Sequence, residues 1–279
     1  MDARRISILG VGLLGGSIGL AVRSAIKGCS IVGYGHRTST LEAALKRGVI
    51  DEGFDKVDRA VEGADLVILC TPVGTFNGLL PLMTPALTAT AIVTDVGSTK
   101  RSVVRWANEH LPRPERFVGS HPMAGSEKRG VEFARADLFQ NAVCLTTPTA
   151  ETDGQVLETV ERFWRLLGMR LTRLSPDEHD RLIGRVSHLP HAVAAALVAM
   201  QSDASLGLAG KGFMDATRIA GGDGGLWRDI LVDNRDNVRE GIEQLKGQLD
   251  RLLGLLEKED GIGVEEWLSA AAERRAGMG

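Results

Sequence analysis

Short apolar runs alternate with predicted helices through the first part of the chain. Mostly apolar runs of strand length lie at 6–9, 29–34, 65–70, 91–95, 117–121, 142–146 and 169–171. The stretches predicted to be helical between them include 18–22, 41–47, 101–106 and 156–167. Strands that alternate with helices are typical of βαβ units, in which helices cover both faces of a mostly parallel sheet. The pattern therefore predicts an α/β domain.

The strand pattern stops at Pro176, and the remaining residues indicate helices. Residues 177–200 form an alanine-rich helical stretch with a proline interruption at Pro190, and a glycine-rich loop follows at 221–225. Residues 237–257 carry an apolar seam at alternating four and three spacing, formed by Val238, Ile242, Leu245, Leu249, Leu252 and Leu256. The seam packs either within the chain or against a second copy. We therefore predict two domains, a sheet domain at 1–173 and an all-helical domain at 174–279.

A glycine turn joins the first predicted strand to the first predicted helix. Gly10, Gly12 and Gly15 have G-x-G-x-x-G spacing, and Leu13 and Leu14 fill the turn. In a dinucleotide-binding turn the first glycine bends the chain tightly, the second lets a pyrophosphate approach, and the third lets the helix pack closely. The free N–H groups of the helix then face the phosphates. The sequence thus predicts a Rossmann-type domain that binds a nicotinamide dinucleotide, with Thr71 beside the turn.

The end of the second predicted strand indicates which dinucleotide is bound. An NAD-binding domain usually has an acidic residue there, which holds the ribose 2′-hydroxyl. This chain has Gly35 at that place, followed by His36, Arg37 and Thr38. Without a carboxylate to repel it, a 2′-phosphate could be held by Arg37 and neighbouring hydroxyls. We therefore expect NADP or NAD, with NADP favoured, although a solvated turn would tolerate either cofactor.

Composition excludes several other classes of partner. The 279-residue chain has 43% hydrophobic and 25% charged residues, and its formal net charge is −3. This charge provides no basic field for nucleic acid and no polybasic patch for a membrane. No signal peptide precedes the first strand and no apolar run reaches about 18 residues, so we expect a cytoplasmic protein. Cys29, Cys70 and Cys144 form no C-x-x-C pair, and no metal site is predicted.

His121 and Ser98 are the candidate catalytic residues. His121 stands at the end of a predicted strand, where it could accept a proton or hydrogen bond from a substrate hydroxyl. Loss of that proton would favour departure of a hydride from the same carbon. Ser98 follows the neighbouring predicted strand. It could orient the imidazole, or it could cap the next helix.

Three further residues in the helical half are candidates for binding an anionic substrate. His188 and His191 lie three residues apart, which places them on one face of a helix. The same spacing suits a metal ion, but the usual third ligand is not evident nearby. Arg218 could bind a carboxylate through two hydrogen bonds, or it could form a surface ion pair.

Together these motifs resemble the prephenate/arogenate dehydrogenase (TyrA) family. The resemblance rests on the glycine turn and on D-x-G-S-x-K at 95–100, G-S-H-P-M-A-G-S-E at 119–127, S-H-L-P-H at 187–191, D-A-T-R-I-A at 215–220 and W-R-D-I at 227–230. It implies a Rossmann-type domain followed by a helical dimerisation domain, and a homodimer formed through the C-terminal helices. It also implies oxidative decarboxylation in tyrosine biosynthesis, with prephenate or arogenate as the substrate.

The resemblance also implies roles for individual residues. His121 is similar to the family's catalytic histidine and Ser98 to the serine that orients it. Glu127 matches a pocket acid that helps to gate the site, His188 and His191 match substrate-pocket histidines, and Arg218 resembles the arginine that binds the ring carboxylate.

Two departures from the family pattern leave questions open. Members often have S-D-P after R-I-A, whereas this chain has Gly-Gly-Asp-Gly-Gly at 221–225. Gly35 also stands where NAD-using members carry an aspartate. Two alternative functions share the glycine turn. A β-hydroxyacid dehydrogenase would need a catalytic lysine, for which Lys211 is the nearby candidate, and a dinucleotide-sensing regulator would not need His121, Ser98 and Arg218 together.

Overall fold

One mixed sheet forms the first domain. The computed structural model describes residues 3–125 and 128–278. Within those residues the strands are β1 (Arg5–Leu9), β2 (Ser30–Tyr34), β3 (Glu52–Phe54), β4 (Leu66–Leu69), β5 (Ile92–Asp95), β6 (Phe117–Pro122), β7 (Val143–Thr147) and β8 (Arg170–Arg173). Their order in the sheet is β3-β2-β1-β4-β5-β6-β7-β8. The first six strands are parallel, β7 is antiparallel to β6, and β8 is parallel to β7.

This strand order confirms the predicted Rossmann-type sheet, because 3-2-1-4-5-6 is the order of dinucleotide-binding folds. The strand β3 was not predicted from the sequence. It has three residues, and Glu52 within it is exposed, so it carries no apolar run. Between β1 and β4 the direction of strand addition reverses, and ligands bind beyond the carboxyl ends of strands at such a point.

The α-helices that the structure describes in the sheet domain are α1 (Leu13–Ala25), α2 (Thr38–Lys46), α3 (Val57–Val61), α4 (Phe76–Met83), α5 (Arg101–His110) and α6 (Gly154–Leu166). Successive strand side chains point to opposite faces of the sheet, so each face has its own apolar core. Ile6 and Ile8 of β1 belong to one core, which also includes Trp164 of α6. Leu9 belongs to the other core, together with Phe76 of α4.

The second domain is helical. Its helices are α7 (Pro176–Ile183), α8 (Leu189–Ala199), α9 (Asp203–Leu206), α10 (Lys211–Thr217), α11 (Gly224–Asp233), α12 (Arg235–Glu257) and α13 (Gly261–Ala276). Ser175 begins α7 with a capping box: its hydroxyl accepts from the Glu178 N–H, and the Glu178 carboxylate accepts from the Ser175 N–H.

A π turn at Gly184–His188 joins α7 to α8, so the chain stays helical from Pro176 to Ala199. The predicted interruption at Pro190 is therefore wrong. Proline has no N–H to donate to the preceding turn. Pro190 lies in the first turn of α8, where proline is tolerated, and directly before it the Leu189 N–H reaches the Gly184 carbonyl five residues back instead of four. Such turns are frequent at functional sites.

Among the described residues, the run Pro176–Ala199 is long and apolar enough by length and composition to cross a membrane. Its most apolar window has a mean hydropathy of 1.3, and 28% of that window is buried. Sequence inspection alone did not flag this stretch, because its polar residues interrupt every continuous apolar run. Four of those polar residues are buried, namely His179, Asp180, His188 and His191. The run is thus a helix that carries both buried polar groups and exposed apolar groups, the latter including Leu182 and Val186.

Candidate active site

The glycine turn has the geometry of a phosphate cradle. Gly10 follows β1 with φ of 109°, and a Cβ atom there would lie 2.7 Å from the Thr71 backbone nitrogen. A Cβ on Gly15 would collide with the Gly10 carbonyl oxygen, so this contact between helix and turn requires glycine. By contrast, a Cβ on Gly12 would meet no atom within 4 Å, which leaves open space at the start of α1. The turn therefore fits a dinucleotide pyrophosphate.

The other predicted cofactor residues border the same end of the sheet. Leu13 and Leu14 form the half-buried first turn of α1, which has neither a side-chain cap nor an acidic residue. Its N–H groups are therefore available to an anion. His36, Arg37 and Thr38 are exposed beyond β2, and the Arg37 Nε lies 3.3 Å from the His36 Nε2.

The D-x-G-S-x-K motif forms a buried set of polar contacts that links two strands. The Asp95 carboxylate accepts from the backbone N–H groups of Gly97 and Ser120, at 2.8 and 2.9 Å, and also pairs with the Lys100 ammonium. Asp95 and Lys100 are fully buried. These contacts of Asp95 fix the end of β5 against β6, and β6 carries His121.

His121 is buried and belongs to a chain of hydrogen bonds that extends into the helical domain. Its Nδ1 lies 2.9 Å from Nε2 of His179, and Nδ1 of His179 lies 2.8 Å from Oδ1 of Asp180. Burial holds the pKa of His121 well below its usual range, and the neighbouring His179, Lys100 and His188 act in the same direction. Burial also lowers the pKa of His179. Both imidazoles are therefore neutral at pH 7.

Asp180 joins the two domains. Its Oδ1 accepts the Lys100 N–H at 2.7 Å and its Oδ2 accepts the Arg101 N–H at 3.0 Å, so this carboxylate caps the start of α5 from the other domain. Burial alone would raise the pKa of Asp180. Hydrogen bonds from His179 and from the two N–H groups outweigh that effect and hold its pKa below the usual range.

His188 is held in a different way. The Asn234 amide nitrogen lies 2.7 Å from the Asp180 carbonyl oxygen and 3.0 Å from Nδ1 of His188. An amide NH2 can only donate, so Nδ1 of His188 accepts and Nε2 carries the proton. That Nε2 is buried without a hydrogen-bond partner. Burial lowers the pKa of His188 to about 4, so the group is a neutral donor.

His191 stacks on Trp227. The ring centroids are 3.5 Å apart with 13° between the planes, and His188 meets the same indole edge-on at 6.2 Å. Burial lowers the pKa of His191, and its Nδ1 has no hydrogen-bond partner. Gly222 closes over the stack, because a Cβ there would lie 2.9 Å from the His191 ring. The glycine loop thus gives the stack room, while Asp223 caps α11 by accepting the Leu226 N–H.

The other predicted site residues are placed less directly. Ser98 is half-buried and lies beside His188. A backbone group of Ser98 acts to raise the pKa of His188, although Nε2 of His188 forms no hydrogen bond. The contact that the structure records at Nδ1 of His121 is with His179, so the orienting role of Ser98 stays a prediction. Arg218 is exposed at the end of α10, and Glu127 lies outside the described residues.

Four residues of this cluster were missed by sequence reasoning, namely His179, Asp180, Asn234 and Trp227. The stretch around His179 and Asp180 has the acidic first turn of an ordinary helix start, which conceals a contact between domains. Trp227 lies in the W-R-D-I motif at 227–230, and that motif alone indicates no role for the tryptophan. Among residues 3–125 and 128–278, no group of three or more His, Cys, Asp and Glu side chains could hold a metal ion.

A dinucleotide cradle and buried neutral histidines at the same carboxyl edge of the sheet are typical of a dinucleotide-dependent oxidoreductase. The family models "Prephenate dehydrogenase, nucleotide-binding domain" and "Prephenate dehydrogenase, dimerization domain" match residues 18–173 and 175–270. The chain belongs to the prephenate dehydrogenase family.

Individual relatives are similar to this protein over nearly the whole of its chain. A prephenate dehydrogenase of Bacillus subtilis is 38% identical over 98% of this chain and 76% of its own length. A cyclohexadienyl dehydrogenase of Zymomonas mobilis is 31% identical, over 99% and 96% respectively. The crystal structure of an Aquifex aeolicus prephenate dehydrogenase with hydroxyphenyl propionate and NAD+ is similar at a TM-score of 0.93 and 35% identity, covering 100% of this chain and 99% of that one.

The buried histidines predict that acid destabilises the protein. The pKa values of His121, His179, His188 and His191 are lowered in the folded state, so the unfolded chain binds more protons below pH of about 6.5. The free energy of unfolding should therefore fall as the pH decreases from 6.5 toward 4, as measured by urea denaturation at several pH values. His188→Asn keeps an acceptor for Asn234 and should show a weaker fall. Equal pH dependence in the two proteins would contradict the prediction.

Proposed function

We propose that this protein catalyses the oxidative decarboxylation of prephenate with a nicotinamide dinucleotide, with arogenate as the alternative substrate. The family and the activities named for its full-length relatives support this proposal. The observation that carries it is the group of buried neutral imidazoles at His121 and His188, with His121 on β6 at the same carboxyl edge of the parallel strands as the glycine turn. They offer hydrogen bonds for a ring hydroxyl and for carboxylates.

In the proposed reaction, Nε2 of His121 accepts the proton of the C4 hydroxyl of the substrate. A nicotinamide dinucleotide held at the glycine turn would supply the acceptor for the hydride that leaves the same carbon. The carboxylate at C1 then leaves as CO2, and its bonding electrons make the ring aromatic, with negative charge on the C4 oxygen. His121 returns the proton to that oxygen, so no net proton is released. Enzyme groups need only polarise the hydroxyl and hold the two carboxylates in place.

The remaining predicted residues have proposed binding roles. Nε2–H of His188 and the guanidinium of Arg218 are proposed to bind the ring carboxylate. Ser98 is proposed to act at His121, and Glu127 to gate the pocket. His191, a neutral group with an unpartnered nitrogen, is proposed to bind the side chain, which favours the keto acid of prephenate over the amino acid of arogenate.

For the cofactor we propose a preference for NADP over NAD. The first turn of α2 contains no acidic residue, and Arg37 is its exposed N-terminal neighbour. A guanidinium can bind a 2′-phosphate through two hydrogen bonds, and no carboxylate stands at the end of β2 to repel it. Cytoplasmic location also remains a prediction, in keeping with the biosynthetic relatives.

The reaction predicts the effect of His121→Asn. This variant should lower kcat by about 10² or more, because a general base is lost, with little change in cofactor affinity. The assay is NAD(P)H production from prephenate and from arogenate, each with both cofactors. His110→Asn replaces a half-buried histidine at the end of α5, outside the candidate site, and is the matched control. Near-normal turnover in His121→Asn would contradict the assigned base, and no turnover of either substrate by the wild type would contradict the function.

The cofactor preference predicts the effect of Arg37→Ala. The variant should raise KM for NADP by about tenfold or more while leaving KM for NAD nearly unchanged, because a phosphate partner is removed. Arg59→Ala removes another exposed arginine of the sheet domain and should change neither constant. A wild-type KM that is lower for NAD than for NADP would overturn the preference.

We further propose that two copies form a homodimer through the C-terminal helices. The helical half matches a family model described as a dimerization domain. The apolar seam of α12 is buried at Val238 but becomes exposed along the helix, reaching 48% at Leu249 and 55% at Leu256. Large exposed apolar side chains elsewhere in this domain include Val186 and Met200. A second copy would remove these groups from water.

The proposed interface predicts that Leu256→Glu weakens the dimer, since it would bury a charge between the subunits. Sedimentation analysis of the wild type should give a mass near twice 29.9 kDa, and the variant should shift toward the monomer at the same concentration. Leu82→Glu changes an equally exposed leucine of α4 and should remain dimeric. A monomeric wild type would refute the proposal.

A further inference from the structure

We propose that Asp180 and His179 are positioning residues that fix the tautomer of His121, with the proton on Nδ1 and a bare Nε2 facing the substrate hydroxyl. This inference deepens the proposed function and rests on it. It stands on the hydrogen-bond chain from Asp180 through His179 to His121, in which each contact is 2.8 or 2.9 Å long. A hydrogen bond needs one donor and one acceptor, so the direction of each bond follows from the group at the end of the chain.

The end of the chain is an anion. Asp180 accepts the N–H groups of Lys100 and Arg101 at the start of α5, where the helix dipole also favours negative charge. A carboxylate that accepts several N–H groups stays ionised and can only accept. Nδ1 of His179 must therefore carry a proton and donate it to Oδ1 of Asp180.

The next bond has the same direction. His179 is neutral because burial lowers its pKa, and its single proton is on Nδ1, so Nε2 has a lone pair. Nδ1 of His121 must donate to that lone pair. Since His121 is also neutral, its own Nε2 is bare. The charged or titratable groups that face these rings are Lys100 and His188 near His121, and Asp95, Lys100 and Asp180 near His179.

This arrangement matches the proton transfers of the reaction. The hydroxyl proton moves to Nε2 of His121, and the resulting cation is stabilised by the hydrogen bond to His179 and, through it, by the Asp180 anion. The same proton returns to the C4 oxygen when CO2 leaves. In the opposite tautomer Nε2 would carry a proton and could not accept one, so the base would be lost although every residue remained in place.

His188 provides an internal comparison. Asn234 donates to its Nδ1, so its proton is on Nε2, whereas in His121 the proton is on Nδ1. The two imidazoles therefore present opposite polarity, one accepting from a hydroxyl and one donating to an anion. Each polarity is set by the group behind the ring.

The tautomer can be measured directly in the full-length wild-type protein. The ¹⁵N chemical shifts of imidazole nitrogens distinguish a protonated nitrogen from a bare one. The chain has six histidines, and loss of a signal in His121→Asn assigns the relevant ring. The expected result at pH 7.5 is a protonated Nδ1 and a bare Nε2 in His121, with the reverse in His188. A proton on Nε2 of His121 would overturn the proposal.

Two substitutions of His179 separate positioning from mere packing. His179→Gln keeps the polarity, because the amide NH2 donates to Asp180 and the amide oxygen accepts from His121. His179→Leu fills the buried space but offers no acceptor, while Asp180 keeps its two backbone donors. We expect kcat to fall by about 10² in His179→Leu with little change in KM, and to remain within about tenfold of wild type in His179→Gln.

Ser175→Ala is the control for stability. It removes the cap of α7, the helix that carries both positioning residues, and should lower the urea midpoint of unfolding without changing kcat. Wild-type turnover in His179→Leu, or equal losses in the leucine and glutamine variants, would overturn the proposal. Should the leucine variant fail to fold, the tautomer measurement and the glutamine variant still decide it.

The tautomer measurement also separates this inference from the proposed function, because it needs no substrate. If Nε2 of His121 is bare but the protein oxidises neither prephenate nor arogenate, the proposed function is contradicted and the proposed positioning role is retained. Turnover of prephenate with a protonated Nε2 would do the reverse.

Discussion

One buried carboxylate connects the two domains at the candidate site. Asp180 lies in the helical domain, yet it caps the first helix turn after β5 and supports the histidine pair that ends at His121. Removing a charged group from water is costly unless its hydrogen bonds are satisfied, and here three N–H donors satisfy it. The same interaction therefore orients the domains and defines the hydrogen bonding of the proposed base.

Much of the fold could be predicted from the chain because its signals are local. Strand-length apolar runs and the glycine turn indicated a Rossmann-type sheet, which the strand order confirms. The family assignment from the combined motifs is likewise confirmed. The strand β3 carries no such signal, since its pairing with β2 and not its composition makes it a strand. At Pro190 the local rule failed because a π turn ends at His188, which places Pro190 in the first turn of α8, where proline is tolerated.

The site was harder to predict because its contacts join distant parts of the chain. His121 and His188 stood in recognisable motifs, but the partner of each is set by tertiary structure: His179 for one and Asn234 for the other. Sequence can indicate that a histidine is present at a strand end. It cannot indicate which nitrogen carries the proton, because that depends on a group 58 residues away in the chain.

The unbroken helical run Pro176–Ala199 places two different surfaces on one element. The run carries His179, His188 and His191, which are buried at the site, and it also exposes Val186. A helix is stiff along its axis, so a shift at one side moves the other. The element thus spans the distance between the candidate site and the exposed apolar surface that is proposed to meet a second copy.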